Sequence, residues 1–327
     1  MLPASLEGKN IPPLPTGDWT LARTSPHEIE YPAAMKSALL IVNPASRRGS
    51  RARAKAVKAF AAAGVSVDVF ETEAPGHGAE IAARRADDYD YVFTLGGDGT
   101  AIEVLGVLAH RGPALGILPG GTGNVVARSL GIPGNVGRAV RVLLEGDEAR
   151  IDLGVLSTGQ RFAIGMGVGL DATMIANAPG PLKRRIGFFA YVIGALKAFA
   201  KLEKFTVRLT VDGVTTTTRA SAVLIANVGA VMNDLISFGD GIRRDDGVLD
   251  ACVYSPRNAV DAVRILLKMA MKRFTPDPCI LYVSGAEFTI ETDPPRLGQA
   301  DGELIGEGPF KVTVDPLAAR VLVPGKR

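Results

Sequence analysis

The sequence predicts an α/β fold in two parts, a doubly wound parallel-sheet N-terminal domain and a mostly antiparallel β C-terminal domain. Between Ser37 and Arg150, short apolar runs alternate with helical patterns rich in alanine and basic residues. Strands that alternate with helices are typical of a parallel sheet with helices on its faces. Beyond Arg150 the alternation gives way to short strand-like runs, and Asp212-Gly213 is a strong hairpin signal.

The elements follow in order along the chain. In the N-terminal domain we expect strands at 38–42, 65–70, 91–95 and 115–118, and helices ending near 63, over 78–86, over 101–110 and from 125. In the C-terminal domain we expect strands at 162–168, 205–211, 221–228 and 248–254, and helices at 187–201 and 259–272. Residues 1–36 lack periodicity, so they are predicted to form an extended arm whose large anchor is Trp19.

Composition excludes several classes of function. The 327 residues carry a net charge of +3 with scattered basic residues, so no nucleic-acid partner is expected. Cys252 and Cys279 lie in apolar surroundings without metal-binding spacing, as free buried thiols do in a reducing compartment. No run reaches the roughly 18 apolar residues of a spanning helix, and no signal-peptide pattern opens the chain. We therefore expect a cytoplasmic protein without a transmembrane segment.

The stretch Gly96-Gly97-Asp98-Gly99-Thr100 is the most informative motif, because it follows an apolar strand and opens a helical pattern. Glycines let backbone amides approach an anion closely, and a helix N-terminus adds its positive dipole end, so the stretch predicts a phosphate site. The carboxylate of Asp98 would be repelled by phosphate unless a divalent cation such as Mg²⁺, or a network of donors, lies between them.

Two further loops follow neighbouring predicted strands. The loop from Asn43 to Gly49 contains Ser46 and Arg47, and it reads equally well as an ordinary capped turn or as part of a nucleotide site. The loop from Leu118 to Asn124 has three glycines in four residues, which favours close approach to a ligand over a simple flexible turn. Neither a P-loop motif nor a dinucleotide fingerprint is present.

Two acidic turns in the second half complete the candidate set. Asp245-Asp246-Gly247 and Asp301-Gly302-Glu303 each lead into a predicted strand. In isolation such Asp-Gly turns are more often just turns. Phosphoryl transfer to an alcohol needs a carboxylate to accept the hydroxyl proton and acids to hold Mg²⁺, and these turns supply suitable carboxylates.

Together these motifs resemble the diacylglycerol kinase catalytic-domain family, specifically bacterial lipid kinases related to diacylglycerol and sphingosine kinases. The resemblance extends from about Ser37 to the C-terminus. Its motifs are NPASRRGS from Asn43, GGDGT from Gly96, LPGGTGN from Leu118, GVGLDA from Gly167, DDGVLD from Asp245 and DGE from Asp301. GGDGT alone is shared with NAD kinases, whereas GGDGT followed at this distance by LPxGTxN is much more specific.

The resemblance implies an ATP-dependent kinase that uses Mg²⁺. Glu303 would accept the proton with Asp301 beside it, and Asp98 would organise Mg²⁺ and phosphate. A structural Mg²⁺ would be held by Asp246 and by backbone oxygens near Arg243 and Val248. The residues implied to surround ATP are Asn43, Pro44, Ala45, Ser46, Arg47, Thr72, Gly96, Gly97, Asp98, Gly99, Thr100, Glu103, Gly121, Thr122 and Asn124.

The family's organisation implies an α/β nucleotide-binding domain at 37–149 and a β-rich lipid-substrate domain at 150–310. Its last segment, here 311–327, would return to complete the first domain. A lipid at the membrane surface would be the substrate. The expected helix at 187–201 is preceded by Lys183-Arg184-Arg185. Such a helix could make transient peripheral contact with an anionic bilayer, and it could equally well cover the β domain. The oligomeric state stays open, with a homodimer among the alternatives.

Two positions depart from the family's commonest pattern, and two other functions stay open. Ile102 stands where Asn usually follows GGDGT, and Val125 stands where many members have Asp. A nucleotide-binding regulator without catalysis is therefore one alternative. A kinase of a soluble substrate such as NAD is the other, since GGDGT permits it. The motifs do not identify the lipid, which could be diacylglycerol, phosphatidylglycerol, a sphingoid base or ceramide.

Overall fold

A ten-stranded mixed sheet and a six-stranded antiparallel sheet form the framework of the chain. The computed structural model describes residues 36–46, 49–169, 204–231 and 236–325. The predicted arm, apart from Lys36, the predicted helix at 187–201 and Arg47 lie outside the described residues. Among those described, no helix has the length and apolar character needed to cross a bilayer.

The N-terminal half is an α/β unit whose strands run parallel. Strands β1 to β4 pair side by side in the order β2-β1-β3-β4, and their hydrophobic side chains form one core with the helices on both faces. The elements are β1 (Ser37–Val42), α1 (Gly49–Ala62), β2 (Ser66–Glu71), α2 (His77–Arg85), a 3₁₀ turn (Ala86–Asp88), β3 (Tyr91–Gly96), α3 (Asp98–Leu108), β4 (Leu115–Pro119) and α4 (Val125–Ser129). The predicted strands and helices of this half are all present.

Two details of this half differ from the sequence prediction. Helix α3 begins at Asp98, three residues before the predicted start, because an acidic residue in the first turn interacts favourably with the helix dipole. A further helix, α5 (Val136–Leu144), was not predicted. Asn135 caps it by accepting a hydrogen bond from the Arg138 amide at 3.0 Å. The cap and the apolar spacing that follows it are ordinary sequence signals of a helix.

Two long strands connect the two halves of the molecule. Strand β5 (Asp147–Leu156) crosses the expected boundary at 149/150, and β18 (Phe310–Val323) pairs with it antiparallel along most of its length. The far end of β18 also pairs parallel with β4 through Val321 and Leu115, whereas its near end pairs with β15 (Glu287–Asp293). The parallel and antiparallel strands therefore belong to one continuous sheet.

The second half is antiparallel, as predicted. A hairpin joins β8 (Phe205–Val211) to β9 (Val214–Ala220) through Asp212-Gly213. The six-stranded sheet has the order β14-β13-β10-β7-β16-β17. Its strands are β7 (Gly165–Gly169), β10 (Ala222–Ala226), β13 (Leu249–Tyr254), β14 (Ile280–Gly285), β16 (Leu297–Ala300) and β17 (Glu303–Glu307). The remaining elements of the second half are the short strands β6 (Arg161–Phe162), β11 (Ala230–Val231) and β12 (Ile236–Ser237) and helix α6 (Ala259–Ala270).

Both faces of the six-stranded sheet are covered by apolar packing. On β10, the side chains of Val223 and Ile225 enter a core shared with β8, β15 and β18 of the large sheet. The alternate residue Ala222 faces the other way and packs with α6. Cys252 and Cys279 lie buried in this second cluster as free thiols, which confirms their predicted state. The predicted fold class is confirmed.

Candidate functional site

The loops singled out in the sequence lie at the carboxyl ends of adjacent parallel strands. Going along the chain, β1 is followed by Asn43, β2 by Thr72, β3 by Gly97 and β4 by Gly120. In the sheet, β2 lies on one side of β1, whereas β3 and β4 lie on the other side. The direction in which successive strands are added therefore reverses after β2. Open α/β sheets bind ligands in the crevice that forms at such a switch point.

The two glycine-rich loops are packed directly on each other. The amides of Gly120 and Gly121 donate to the Gly96 carbonyl oxygen at 2.8 and 2.9 Å. A Cβ at Gly121 would lie 2.6 Å from the Gly97 Cα, and a Cβ at Gly96 would lie 2.8 Å from the Thr100 Oγ1. At Gly99, by contrast, a Cβ would meet nothing within 4 Å. The close packing of one loop on the other therefore requires glycine at Gly121, whereas a side chain at Gly96 would overlap Thr100 of its own motif.

The carboxylate of Asp98 is bound by the start of α4. Its Oδ1 accepts a hydrogen bond from the Val126 amide at 3.0 Å. Burial raises the pKa of Asp98, while the amides of residues 124–126 oppose the shift. Asn124, which has a left-handed φ of 49°, accepts from the Gly121 amide and donates to the Gly121 carbonyl, both at 2.9 Å. A backbone donor at the start of α4 thus holds Asp98; the sequence had offered a network of donors as an alternative to a divalent cation.

The first loop reaches the same place. The Asn43 side chain donates to the Thr100 hydroxyl at 3.2 Å and accepts from the Ala45 amide at 3.0 Å. The Ser46 Oγ lies 3.2 Å from the position that a Cβ of Gly120 would occupy. Pro44 lies in the turn between them, and its side chain is exposed. The loops after β1, β3 and β4 therefore form one connected surface.

The remaining candidates of this half lie around that surface. Thr72 continues β2, with its amide donating to the Val42 carbonyl at 2.8 Å. Glu103, one helical turn beyond Gly99, accepts from the Gly76 amide at 3.0 Å and so fixes the loop before α2. Thr122 is exposed at the tip of the loop after β4.

Asp301 is a half-buried anchor from the second half. Its carboxylate accepts from the backbone amides of Ala163, Ile164 and Gly165 at 2.7, 2.9 and 3.0 Å. Burial raises the pKa of Asp301 to about 6 in spite of these three donors, and the negative charge of Asp98 adds to the shift. Asp301 therefore fixes the β16–β17 turn against the strand entry at β7, within electrostatic range of Asp98.

A cavity of about 240 Å³ joins the two halves of the site. Gly99, Ile102 and Glu103 of α3 line one side, and Asp301 and Glu303 of the β16–β17 turn line the other. Glu303 is exposed at the first position of β17. Residues about 200 positions apart in the sequence thus share one cavity, and its walls combine carboxylates with apolar surface.

The acidic turn before β13 is not among the residues lining that cavity. Arg243 forms an ion pair with Asp245 at 3.1 Å, and an Asp246 oxygen accepts from the Val248 amide at 3.4 Å. In the part of the chain that the structure describes, no cluster of three or more His, Cys, Asp or Glu side chains is arranged to hold a metal. A site at Asp246 would need backbone oxygens, as the resemblance implies.

Sequence reasoning missed Asp152, which holds this turn. The Asp152 side chain is fully buried on β5, and its oxygens accept from the Gly247 amide at 2.8 Å and the Leu317 amide at 2.6 Å. The Asn227 side chain donates to the backbone carbonyls of Asp152 and Ala163, at 2.8 and 2.9 Å. An acid inside an apolar strand, as Asp152 is in the stretch 151–156, is the sequence signal that could have found it.

Sequence reasoning also missed the one cation that lines the cavity among the described residues, Arg161. Its guanidinium donates to Asp315 at 3.3 and 3.4 Å and to the Gly106 carbonyl at 3.5 Å. The same carboxylate contacts His110 Nε2 at 2.6 Å. These residues come from β6, β18, α3 and the turn after α3, so no local pattern in the sequence relates Arg161 to its partners.

Comparison with known proteins agrees with the geometry. Residues 37–156 match the model of the diacylglycerol kinase catalytic domain, and residues 164–323 match that of the YegS C-terminal NAD kinase beta sandwich-like domain. A crystal structure of a Bacillus anthracis protein provisionally assigned as a diacylglycerol kinase superposes with a TM-score of 0.77 at 26% identity, covering 88% of this chain and 97% of that one.

Sequence relatives point the same way. A diacylglycerol kinase of Staphylococcus saprophyticus is 26% identical over 84% of this chain and 91% of its own length. The Staphylococcus aureus enzyme of the same name is 27% identical over 84% of this chain and 88% of its own. An uncharacterized Synechocystis protein is 28% identical over 72% of this chain, but the match spans only 55% of that protein's length.

Proposed function

We propose that this chain, which belongs to the diacylglycerol kinase catalytic-domain family, transfers the γ-phosphoryl group of ATP to the hydroxyl of a lipid such as diacylglycerol. The family and the names of its relatives support a phosphotransferase. The observation that carries the lipid-kinase proposal is the cavity that joins the first turn of α3 to the Asp301–Glu303 turn. It offers one place where a nucleotide phosphate and an acceptor hydroxyl could meet.

In this proposal Glu303 is the proton acceptor. Its carboxylate takes the proton of the lipid hydroxyl while that oxygen forms a bond to the γ-phosphorus. The bond from the γ-phosphorus to the bridging oxygen breaks, and ADP leaves with the electron pair. Asp301 positions the turn through its three backbone hydrogen bonds, so that Glu303 faces the first turn of α3.

The donor chemistry fits Mg²⁺, which prefers carboxylate and carbonyl oxygens. Burial raises the pKa of both Asp98 and Asp301, and a nearby cation would favour their ionised forms. Asp98 would hold the ion on the nucleotide side, and Asp246 with backbone oxygens near Arg243 and Val248 would hold a structural ion. When bound, Mg²⁺ would neutralise charge on the transferring phosphoryl group.

The nucleotide would lie on the surface formed by the loops after β1, β3 and β4. Amides and hydroxyls of Asn43, Ser46 and Thr122 would contact phosphate and ribose oxygens there, and Arg47 would add a positive charge. The packing of the glycine-rich loops supports this role because it holds their exposed amides in one fixed arrangement.

Glu303→Gln tests the proposal. The variant should bind ATP as the wild type does, because Glu303 is exposed and lies on the acceptor side of the cavity. Phosphorylation of diacylglycerol in mixed micelles should fall by about 10²–10⁴-fold. Glu307→Gln is the matched control, since it makes the same change on the same strand at an exposed position away from the cavity. Equal rates for the wild type and the Glu303 variant would refute the assigned role.

One observation favours a second candidate, a kinase of a soluble substrate such as NAD. The C-terminal half matches a domain described as NAD kinase beta sandwich-like. Incubation of the full chain with ATP, Mg²⁺ and either NAD in detergent-free buffer or a panel of lipids in micelles separates the two. Phosphorylation of NAD alone would replace the lipid proposal, and ATP binding without any product would support a nucleotide-binding regulator.

A further inference from the structure

Helix α6 has two apolar faces, and only one of them is buried. On its inner face, Ile265 and Met269 pack with Cys252 and Tyr254 on the outer surface of the six-stranded sheet. On the opposite face, Val260, Val263 and Leu267, together with Met271 just after the helix, are 76%, 42%, 51% and 52% exposed. We call these four residues the α6 stripe.

The spacing of the α6 stripe makes it one continuous line. Its members are three, four and four residues apart, so they fall on one side of the helix and extend about 16 Å along it. From 259 to 271 every exposed residue is apolar, namely Ala259, Val260, Val263, Leu267, Ala270 and Met271. Apart from Arg264, whose half-exposed guanidinium is paired with Asp261 and Asp277, this side of the helix is apolar, which is unusual for a free surface and marks a contact site.

The segment that carries the stripe is basic. Residues 257–277 include five basic and two acidic side chains. Both acids are already paired, since Asp261 binds Arg257 and Arg264 and Asp277 binds Arg264 and Lys268. Lys272 and Arg273, at the end of the helix, are exposed and form no ion pair with any described residue. The stripe therefore ends beside two cations that no acid in the described part of the chain neutralises.

We propose that the α6 stripe, with Lys272 and Arg273, docks the protein on an anionic lipid bilayer. Apolar side chains in a line with cations beside them suit the boundary between headgroups and acyl chains. A helix of 12 residues is too short to span the membrane, so it would lie in the interface. A second copy of the same face would bring like charges together, which argues against self-association through it.

The location of α6 suits this role, and the inference here rests on the proposed function. The helix packs on β10 and β13 of the six-stranded sheet, whose edge strand β17 begins with Glu303. β17 is three strands from β10 and four from β13, which corresponds to about 14–19 Å at the usual strand spacing. Docking through α6 would therefore hold at the membrane the same sheet that carries Glu303.

Sedimentation of the full chain with vesicles tests the proposal. The wild type should bind vesicles of equal parts phosphatidylcholine and phosphatidylglycerol and should bind pure phosphatidylcholine weakly. Leu267→Asp should weaken binding to the vesicles by at least ~10-fold. The change removes an apolar side chain that would be buried among the lipids, and it adds a negative charge that the anionic headgroups repel. The double variant Lys272→Glu/Arg273→Glu should weaken it by ~10-fold or more and remove its dependence on salt.

Val214→Asp is the matched control for Leu267→Asp. Val214 is 72% exposed on the β8–β9 hairpin, away from α6, so this variant should bind vesicles as the wild type does. Val263→Ser serves as a milder second variant, and circular dichroism checks that each variant is folded. Equal binding by the folded Leu267→Asp variant and the wild type would overturn the proposal. Loss of a dimer in sedimentation velocity, with vesicle binding unchanged, would instead assign the stripe to a second copy.

A soluble assay separates failure of docking from failure of the proposed function. Leu267→Asp should phosphorylate a short-chain diacylglycerol, kept monomeric in solution, at the wild-type rate, and should lose activity only on vesicles. An equal loss on both substrates would show that the stripe acts on the site and not on docking. If the wild type phosphorylated no lipid, vesicle binding by the variants would still decide whether α6 docks on the bilayer.

Discussion

Replacing Asp301 by Asn should change how stability depends on pH. Desolvation in the folded chain raises the pKa of the Asp301 carboxyl from 3.8 to about 6. An acid with a higher pKa in the folded chain favours folding where it is protonated. Its contribution is therefore fully present below pH 3.8 and is lost as the pH rises through 6. Asn has no such titration, so the difference between the two proteins isolates this one group.

The magnitude follows from the two pKa values. A shift of about two units corresponds to roughly 3 kcal/mol when the whole titration is covered. Part of this titration takes place between pH 4.5 and 7.5. Over that range the free energy of unfolding of the wild type should fall by about 2 kcal/mol relative to that of Asp301→Asn. At any pH the variant also places an amide NH₂ against a backbone N–H of residues 163–165, which should cost about 1–3 kcal/mol.

Urea unfolding followed by far-ultraviolet circular dichroism at several pH values measures this difference. Repeating the series at high salt is the control, because burial persists there while interactions between exposed charges are screened. A difference between wild type and variant that stays constant from pH 4.5 to 7.5 would show that the carboxyl ionises normally. The argument that burial outweighs its three hydrogen bonds would then be wrong.

Other positions give equally specific expectations. Gly121→Ala should destabilise the fold by about 1–3 kcal/mol, because the added Cβ would overlap Gly97. Gly99→Ala has open space around the added Cβ, so it should be neutral or should stabilise α3 by up to ~1 kcal/mol. Thermal unfolding of the two variants measures the difference. Asp152→Asn should cost about 1–3 kcal/mol, since one of its two buried acceptors becomes a donor facing a backbone N–H; a wild-type urea midpoint would contradict this. Glu103→Ala should lower the melting temperature measurably while Glu103→Gln, which keeps the acceptor, should restore it.

Much of the parallel half could be predicted from the sequence because its signals are local. Apolar runs such as 38–42 and 92–95 are buried strand segments, and each strand is followed by a loop that contains Gly, Asn or Pro. Once those strands are parallel, topology alone brings their carboxyl ends to one edge. The sequence therefore predicted the place of the loops after β1, β3 and β4 without knowledge of any contact between them.

The contacts that organise the site could not be read in the same way. The glycines were expected to admit a ligand, and the structure shows in addition that Gly121 lies too close to Gly97 to carry a side chain. Asp98 was expected to need a cation or a network of donors, and the structure supplies the Val126 amide. Such pairings join residues that are 24 or more positions apart, so no periodicity or local motif encodes them.

The chemistry expected at the site depends on how differently three carboxylates are placed. Asp98 and Asp301 are held by backbone amides, and burial raises the pKa of both. Glu303 alone of the three is exposed at the cavity, so it can approach and leave a proton donor without breaking a buried network. In this arrangement Asp98 and Asp301 would position the reacting groups, and Glu303 would transfer the proton. Exchanging Glu303 for Asp, which shortens the free arm by one methylene, should therefore lower kcat far more than it changes ATP affinity or stability.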